Sequence, residues 1–274
     1  MQGIKDFILT EKKVAYINQL LKVGFDTIDF GSFVSPKAIP QMADTHEVFQ
    51  SLQWSESRSQ LLAIVANKRG ATDACIHKPI QYLGYPFSIS ETFQMRNTNS
   101  TIAESLETVK EIQEICASND KKLVIYVSMG FGNPYGDPWN VHIAQKWVDE
   151  LAELGIRIIS LSDTIGVSTP ESIFYLFNNL IPPYPDVEFG AHLHTTPHTW
   201  KEKIHAAWQG GCKRFDGAMK GMGGCPMAKD ELTGNMPTEQ MIYFFDDIKE
   251  DLGINWKELN KAMMMAEDLF EKQR

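Results

Sequence analysis

Short apolar segments alternate with amphipathic ones along most of this chain, and this alternation limits the folds open to it. Seven strand-like patterns recur at spacings of about 25 to 35 residues, with helical patterns between them. This rhythm is typical of βα units, in which helices connect parallel strands and cover the sheet. The sequence therefore predicts an α/β fold built on a parallel sheet.

The number of strands makes the prediction more specific. A TIM-type (β/α)8 barrel needs eight βα units in about 250 residues, whereas this chain begins with a helix and then shows seven strands. We therefore predict a TIM-type barrel that lacks its first strand. The predicted strands are 25–30, 61–65, 80–89, 122–128, 157–161, 187–193 and 213–217. The predicted helices are 10–23, 44–52, 69–74, 101–118, 140–154, 170–180, 198–209, 238–252 and 256–272.

Composition favours one domain over residues 1–274, because 43% of the residues are hydrophobic and no linker-like stretch divides the chain. A formal net charge of -9 argues against nucleic acid as a partner, since phosphate binding needs a basic surface. The sequence has no apolar run of about 18 residues and no signal-peptide pattern, so we expect a cytoplasmic protein with no membrane partner. Cys75, Cys116, Cys212 and Cys225 then read as reduced thiols.

Two histidines close the sixth predicted strand. Side chains at positions i and i+2 of a strand point the same way, so His192 and His194 can present both imidazoles to one cation. The alternative is that both are simply polar residues on a sheet face. The cation-binding interpretation is favoured because other strand ends also carry polar or glycine-rich segments.

Asp163 follows the fifth predicted strand, and a glycine-rich loop, residues 221–224, follows the seventh. In a βα barrel, residues at the carboxyl ends of the strands share one site. Mg²⁺, Mn²⁺ or Zn²⁺ would suit two imidazoles supplemented by oxygen ligands, for which Asn235 is a candidate. Asp29, near the end of the first predicted strand, is placed at the same edge.

Two of these residues allow more than one role. Asp163 could bind the metal, orient a substrate hydroxyl, or cap the helix that follows Thr164. Cys225 could exchange a proton on a loop that closes over the site, or it could only pack within a turn.

Six short motifs occur along the chain in a characteristic order. They are Phe33-Val34-Ser35-Pro36-Lys37, Pro40-Gln41-Met42-Ala43-Asp44, Asp163-Thr164-Ile165-Gly166, His192-Leu193-His194, Gly223-Gly224-Cys225-Pro226 and Gly234-Asn235. With these motifs in this order, the chain resembles 3-hydroxy-3-methylglutaryl-CoA lyase. The proline-containing and glycine-cysteine motifs separate that family from the isopropylmalate and homocitrate synthases, which share the barrel and the His-x-His pair.

The resemblance implies a metal-dependent TIM-barrel lyase that cleaves 3-hydroxy-3-methylglutaryl-CoA into acetyl-CoA and acetoacetate, a reaction of leucine degradation and ketone-body metabolism. It implies that His192, His194 and Asn235 hold Mg²⁺ or Mn²⁺. In addition, it implies catalytic roles for Asp163, Asp29 and Cys225, with Cys225 as proton donor, contact of Lys5 with the CoA thioester, and a homodimer.

The chain departs from the family pattern in two places. The family's first strand ends in an Arg-Asp pair that would stand just before Met1, and Thr195 replaces the Asp that usually follows the second histidine. We expect that the true start lies upstream. The alternatives are a catalytically silent metal- or CoA-binding protein, and a related condensing synthase or aldolase.

Overall fold

A parallel β-sheet forms the centre of the protein in the computed structural model, which describes Met1, Ile4 and residues 6–223 and 233–270. The strands are β1 (Thr27–Ser32), β2 (Gln60–Ile64), β3 (Ile80–Ser88), β4 (Lys122–Ser128), β5 (Ile158–Asp163), β6 (Glu188–Thr195), β7 (Arg214–Phe215) and β8 (Gly234–Asn235). The helices are α1 (Thr10–Val23), α2 (Thr45–Gln50), α3 (Lys68–Cys75), α4 (Glu91–Thr98), α5 (Ile102–Ser118), α6 (Val141–Glu153), α7 (Pro170–Leu180), α8 (Trp200–Gln209), α9 (Thr238–Asp247) and α10 (Trp256–Phe270).

The strand order follows the sequence. Strands β1 to β7 pair with their neighbours in parallel, and β8 joins β6 in the antiparallel direction. Within the described part of the chain, no pairing joins β7 back to β1, so the barrel is open at that side. The predicted α/β fold of TIM type, with seven parallel strands, is confirmed.

Apolar side chains cover both faces of the sheet. On one face, the largest core cluster joins the strands to the surrounding helices, for example through Phe87, Ile125 and Phe177. A separate, smaller cluster of strand residues consists of Leu62, Tyr82, Val124 and Ile158. Strands buried on both sides read as nearly continuous apolar runs, which explains why they were visible in the sequence.

The first and last helices pack against each other. A second apolar cluster includes Tyr16 of α1 and Leu259 and Phe270 of α10. The rings of Tyr16 and Phe270 meet edge to face with their centroids 5.8 Å apart. In addition, the Gln19 amide donates hydrogen bonds to the backbone and side-chain oxygens of Glu258, each at 2.9 Å.

Several predicted boundaries differ from the structure. Helix α4 was not predicted; Ser90 caps it by accepting a hydrogen bond from the Phe93 N–H. Helix α1 starts at Thr10, as predicted, but no side chain caps it, and the Thr10 hydroxyl donates to Asp44. Strand β7 is shorter than the predicted 213–217, and α9 ends at Asp247 rather than 252.

Two global expectations concern membranes and thiols. No helix in the described ranges is both long and apolar enough to cross a bilayer. Cys116 and Cys212 are buried, Cys75 is partly buried, and all three carry unpaired thiols, as expected for reduced cysteines.

Candidate active site

His192 and His194 lie on the same face of β6, as the period of a strand requires. Their ring centroids are 5.7 Å apart and the ring planes differ by 50°. The His192 ring is about one-third exposed, whereas His194 is buried. The pair is therefore directed toward one region of space, with His194 at its inner wall.

Strand β8 brings Asn235 to this pair. In the antiparallel bridge between β6 and β8, His194 lies directly opposite Asn235. The Asn235 amide nitrogen donates a hydrogen bond to the Met222 carbonyl at 2.9 Å, which fixes the side chain against the start of the glycine-rich loop. The structure therefore brings the three residues predicted as metal ligands together.

Glycine is required where this loop passes Asn235. Gly223 adopts a φ of +88°, and a Cβ atom added there would lie 2.9 Å from the Asn235 amide nitrogen. The backbone conformation favours glycine, and a side chain here would have to displace the Asn235 amide. The glycines of the motif thus allow the loop to approach the Asn235 amide closely.

The protonation state of His194 suits a metal ligand. Burial, assisted by the neighbouring His192, lowers the pKa of His194 to about 4, so its imidazole is neutral at physiological pH. Its Nδ1 atom is inaccessible to solvent and has no hydrogen-bond partner among the described residues. A buried neutral imidazole with an unpartnered ring nitrogen fits a bound divalent cation.

The donor set is small, however. Across residues 6–223 and 233–270, no three His, Cys, Asp or Glu side chains lie close enough together to hold a metal ion. Two imidazoles and the Asn235 amide are therefore the donors that these residues offer, which leaves coordination positions for oxygen atoms of a substrate.

His192 has polar and aromatic neighbours that the sequence interpretation did not identify. Its Nδ1 atom lies 3.4 Å from the Asp216 Oδ2 atom, and the Tyr126 ring meets the imidazole edge to face at 5.5 Å between centroids. The Ser160 hydroxyl donates to the same Asp216 oxygen at 2.9 Å. The only signal for Asp216 in the sequence was an acidic residue in the last predicted strand.

Asp216 remains ionised in this environment. Burial alone would raise the pKa of its carboxyl. The hydrogen bond and charge of His192, the charge of Arg214 and the hydrogen bond from the Ser160 hydroxyl outweigh burial, so the pKa is lowered. Asp216 therefore presents a negative charge to His192.

Asp163 ends β5 and is held by protein groups. Its carboxylate accepts from the Lys203 ammonium at 2.7 Å and from the Ser168 hydroxyl and N–H. Lys203 also donates to the His194 carbonyl at 2.9 Å, so the pair ties the end of β5 to the end of β6. The cap alternative for Asp163 is wrong, because α7 begins at Pro170 and Thr169 caps it.

Asp29 lies within β1 rather than near its end. The strand continues to Ser32 through an irregularity in register between Asp29 and Gly31. Solvent reaches the side chain, but the surrounding protein partly desolvates it and raises the pKa of its carboxyl to about 7; the charge of Asp216 adds to this effect. A carboxyl group with such a pKa can accept or release a proton near neutral pH.

Two predicted residues cannot be placed. Cys225 lies within residues 224–232, and Lys5 is also outside the described residues. Their predicted roles in proton donation and CoA binding therefore stay predictions.

The fold and the site together define a class of protein. An open parallel barrel, with paired imidazoles, an amide and carboxylates on its strands and loops, is an α/β enzyme scaffold of TIM type with a candidate cation site. Solved structures agree with this class. A 3-hydroxy-3-methylglutaryl-CoA lyase from Brucella melitensis aligns with a TM-score of 0.91 at 28% identity, covering 98% of this chain and 94% of that one.

Comparison of sequences makes the assignment specific. The chain belongs to the HMGL-like family, whose model matches residues 1–265. A hydroxymethylglutaryl-CoA lyase of Bacillus subtilis is 32% identical over 99% of this chain and 89% of its own length. A 3-hydroxy-3-isohexenylglutaryl-CoA/hydroxymethylglutaryl-CoA lyase of Pseudomonas aeruginosa is 31% identical over 96% of this chain and 86% of its own length.

A further related structure contains ligands of this class. A 3-hydroxy-3-methylglutaryl-CoA lyase from Acinetobacter baumannii, in complex with coenzyme A and 3-methylmalate, aligns with a TM-score of 0.89 at 29% identity. The alignment covers 98% of this chain and 87% of that chain.

Proposed function

We propose that this protein is a carbon-carbon lyase that cleaves 3-hydroxy-3-methylglutaryl-CoA into acetyl-CoA and acetoacetate. Family membership over residues 1–265 and relatives named for this activity support the proposal. The coenzyme A bound to the relative from Acinetobacter baumannii supports a CoA thioester as substrate.

One observation carries the proposal at the level of the site. His194 is neutral, has an unpartnered Nδ1 atom, shares its strand face with His192 and lies opposite Asn235. These three residues would hold Mg²⁺ or Mn²⁺. When bound, such a cation acts as a Lewis acid on a hydroxyl or carbonyl oxygen of the substrate.

The protein's own groups would manage protons and orientation. Asp29, whose pKa of about 7 allows it to exchange protons, would accept the proton of the C3 hydroxyl. The electrons of that O–H bond then form the ketone of acetoacetate while the C2–C3 bond breaks, and its electron pair passes to the thioester as an enolate. Cys225 would donate the proton that completes acetyl-CoA.

The contacts of Asp163 favour a different role from that of Asp29. Because Lys203 and Ser168 occupy its carboxylate, its contacts favour a role in holding the strand ends of the site rather than in proton transfer. Catalytic use of Asp163 would require a substrate hydroxyl to join or replace these donors.

Other parts of the proposal rest on the sequence and on the family likeness. Contact of Lys5 with CoA, a homodimer and a place in leucine degradation and ketone-body metabolism depend on the family likeness and stay predictions. A cytoplasmic location and a single domain over 1–274 depend on composition and stay predictions as well.

The test is an acetoacetate-release assay with Mn²⁺ and 3-hydroxy-3-methylglutaryl-CoA. We expect that His194→Ala lowers kcat/KM at least about 100-fold. The loss of a metal ligand should cost more than the loss of a residue that only hydrogen-bonds to a ligand. Chelation by EDTA should remove activity and added Mn²⁺ should restore it. The matched control is His142→Ala, which removes an exposed imidazole on α6 and should leave kcat/KM unchanged.

Other outcomes identify the alternatives. Turnover only in the condensing direction would favour a synthase. Binding of Mn²⁺ and CoA ester without turnover would favour a silent protein. Cleavage of a different CoA ester at higher kcat/KM would keep the reaction class and change the acyl group.

A further inference from the structure

The two imidazoles of the candidate site are held differently. The buried His194 Nδ1 atom has no described hydrogen-bond partner, whereas the His192 Nδ1 atom faces the Asp216 carboxylate at 3.4 Å. Asp216 immediately follows β7, the strand next to β6, so the contact crosses between neighbouring strands. One histidine of the pair therefore has a carboxylate behind its ring.

Asp216 is itself fixed. Ser160 on β5 is fully buried and donates its hydroxyl to the Asp216 Oδ2 atom at 2.9 Å. That same oxygen faces His192, so the serine hydroxyl limits the rotation of the carboxylate. Residues of three adjacent strands or strand ends thus set the position of one oxygen atom.

A purely structural role for Asp216 would be that of counter-ion to Arg214, two residues before it. In the described part of the chain, however, the carboxylate within ion-pair distance of Arg214 is that of Glu188, at 3.6 Å. Asp216 instead lies within ion-pair distance of His192. Arg214 contributes charge from further away and is not the contact that orients Asp216.

We propose that Asp216 is a positioning residue, which accepts a hydrogen bond from the His192 Nδ1–H and thereby directs Nε2 of that ring to the divalent cation. A carboxylate behind a histidine ligand fixes its tautomer and ring orientation and increases its basicity. This inference rests on the proposed function, because it assigns a role toward the cation of that same site.

The first experiment examines the metal-free protein. We would record ring-nitrogen chemical shifts in protein labelled with ¹⁵N-histidine, assigning His192 by comparison with His192→Ala. Wild type should show the Nδ1–H tautomer of His192, and Asp216→Ala should shift it toward a tautomer mixture. Asp216→Asn, whose amide oxygen can still accept the hydrogen bond, should retain most of the wild-type signal.

The second experiment measures Mn²⁺ affinity by calorimetry. Asp216→Ala should weaken binding about 10- to 100-fold, and Asp216→Asn should fall between it and wild type. The control is Asp186→Ala, which removes an exposed carboxylate from the turn before β6 and changes the net charge equally. It should leave both the tautomer and the affinity unchanged.

The outcomes separate the inference from the proposed function. If Asp216→Ala lowers only the melting temperature, while the tautomer and Mn²⁺ affinity match wild type, Asp216 is structural and the inference is wrong. If His192→Ala binds Mn²⁺ as tightly as wild type, the proposed metal site itself fails. The tautomer measurement would still decide whether Asp216 orients His192.

Discussion

Lys203 has an environment that is unusual for a lysine. Its side chain is 4% exposed and that of Asp163 is fully buried, and their charged atoms are 2.7 Å apart. The ammonium also donates to the carbonyls of Gly166 and His194, so its three donors are satisfied. Burying a charge is tolerable here because pairing and hydrogen bonding are complete.

We expect that Lys203→Met destabilises the protein by about 3–5 kcal/mol, because it leaves the buried Asp163 carboxylate without its cation. Urea unfolding followed by tryptophan fluorescence measures this change. Lys201→Met is the matched control, since Lys201 lies on the same helix α8 but is exposed. Equal effects of the two variants would contradict the prediction.

At the scale of elements, β6 connects most of the candidate site. It carries both histidines, pairs with β5 and β7 in parallel, and pairs with β8 in the antiparallel direction. Each neighbour supplies a part: β5 supplies Ser160 and Asp163, Asp216 follows β7, and β8 supplies Asn235. The candidate site therefore depends on the order of strands, which the βα connections set.

Helix α5 shows how local sequence stabilises such a connection. Thr101 accepts a hydrogen bond from the Glu104 N–H at 3.1 Å, and the Glu104 carboxylate accepts from the Thr101 N–H at 2.8 Å. This reciprocal capping box satisfies two N–H groups that have no partner within the helix. The predicted helix, 101–118, starts at this N-cap, one residue before α5.

Thr101→Ala should lower the free energy of unfolding by about 1 kcal/mol, since it removes the cap oxygen. Thermal or urea unfolding provides the measurement. Ser118→Ala, at the exposed C-terminal end of the same helix, serves as control and should change stability by less than about 0.5 kcal/mol. A cap variant as stable as wild type would show that packing alone starts α5.

At the scale of the whole molecule, the packing of α10 on α1 joins segments far apart in the sequence. Leu259 is fully buried in this contact, together with Ala262 and Ala266. The small alanine side chains allow the two helices to approach closely. The two ends of the described chain therefore belong to one packed structure.

Leu259→Ala should destabilise the protein by about 2–5 kcal/mol, because it leaves a cavity in this cluster. If α10 is part of the cooperative core, unfolding should remain a single transition at a lower urea midpoint. Met264→Ala on the same helix removes a side chain that is 65% exposed and should have little effect. A separate early transition in Leu259→Ala would instead show that α10 unfolds independently.

The sequence by itself determined the alternation of elements and the direction of the two histidines. Helix 170–180 and strand 122–128 match α7 and β4 in both bounds, since periodic burial and local caps are properties of neighbouring residues. His192 and His194 share a face for the same local reason, because the side-chain period of a strand is two.

Only the tertiary structure decided which distant residues meet. His192 and Asp216 are 24 residues apart, and Lys203 and Asp163 are 40 apart. The two-residue strand β8 lacks a periodic signal of its own, and it forms against the C-terminal end of β6, beyond the pairing of β6 with β7. Such contacts depend on how the curved sheet aligns its strand ends, and no local pattern in the chain records that alignment.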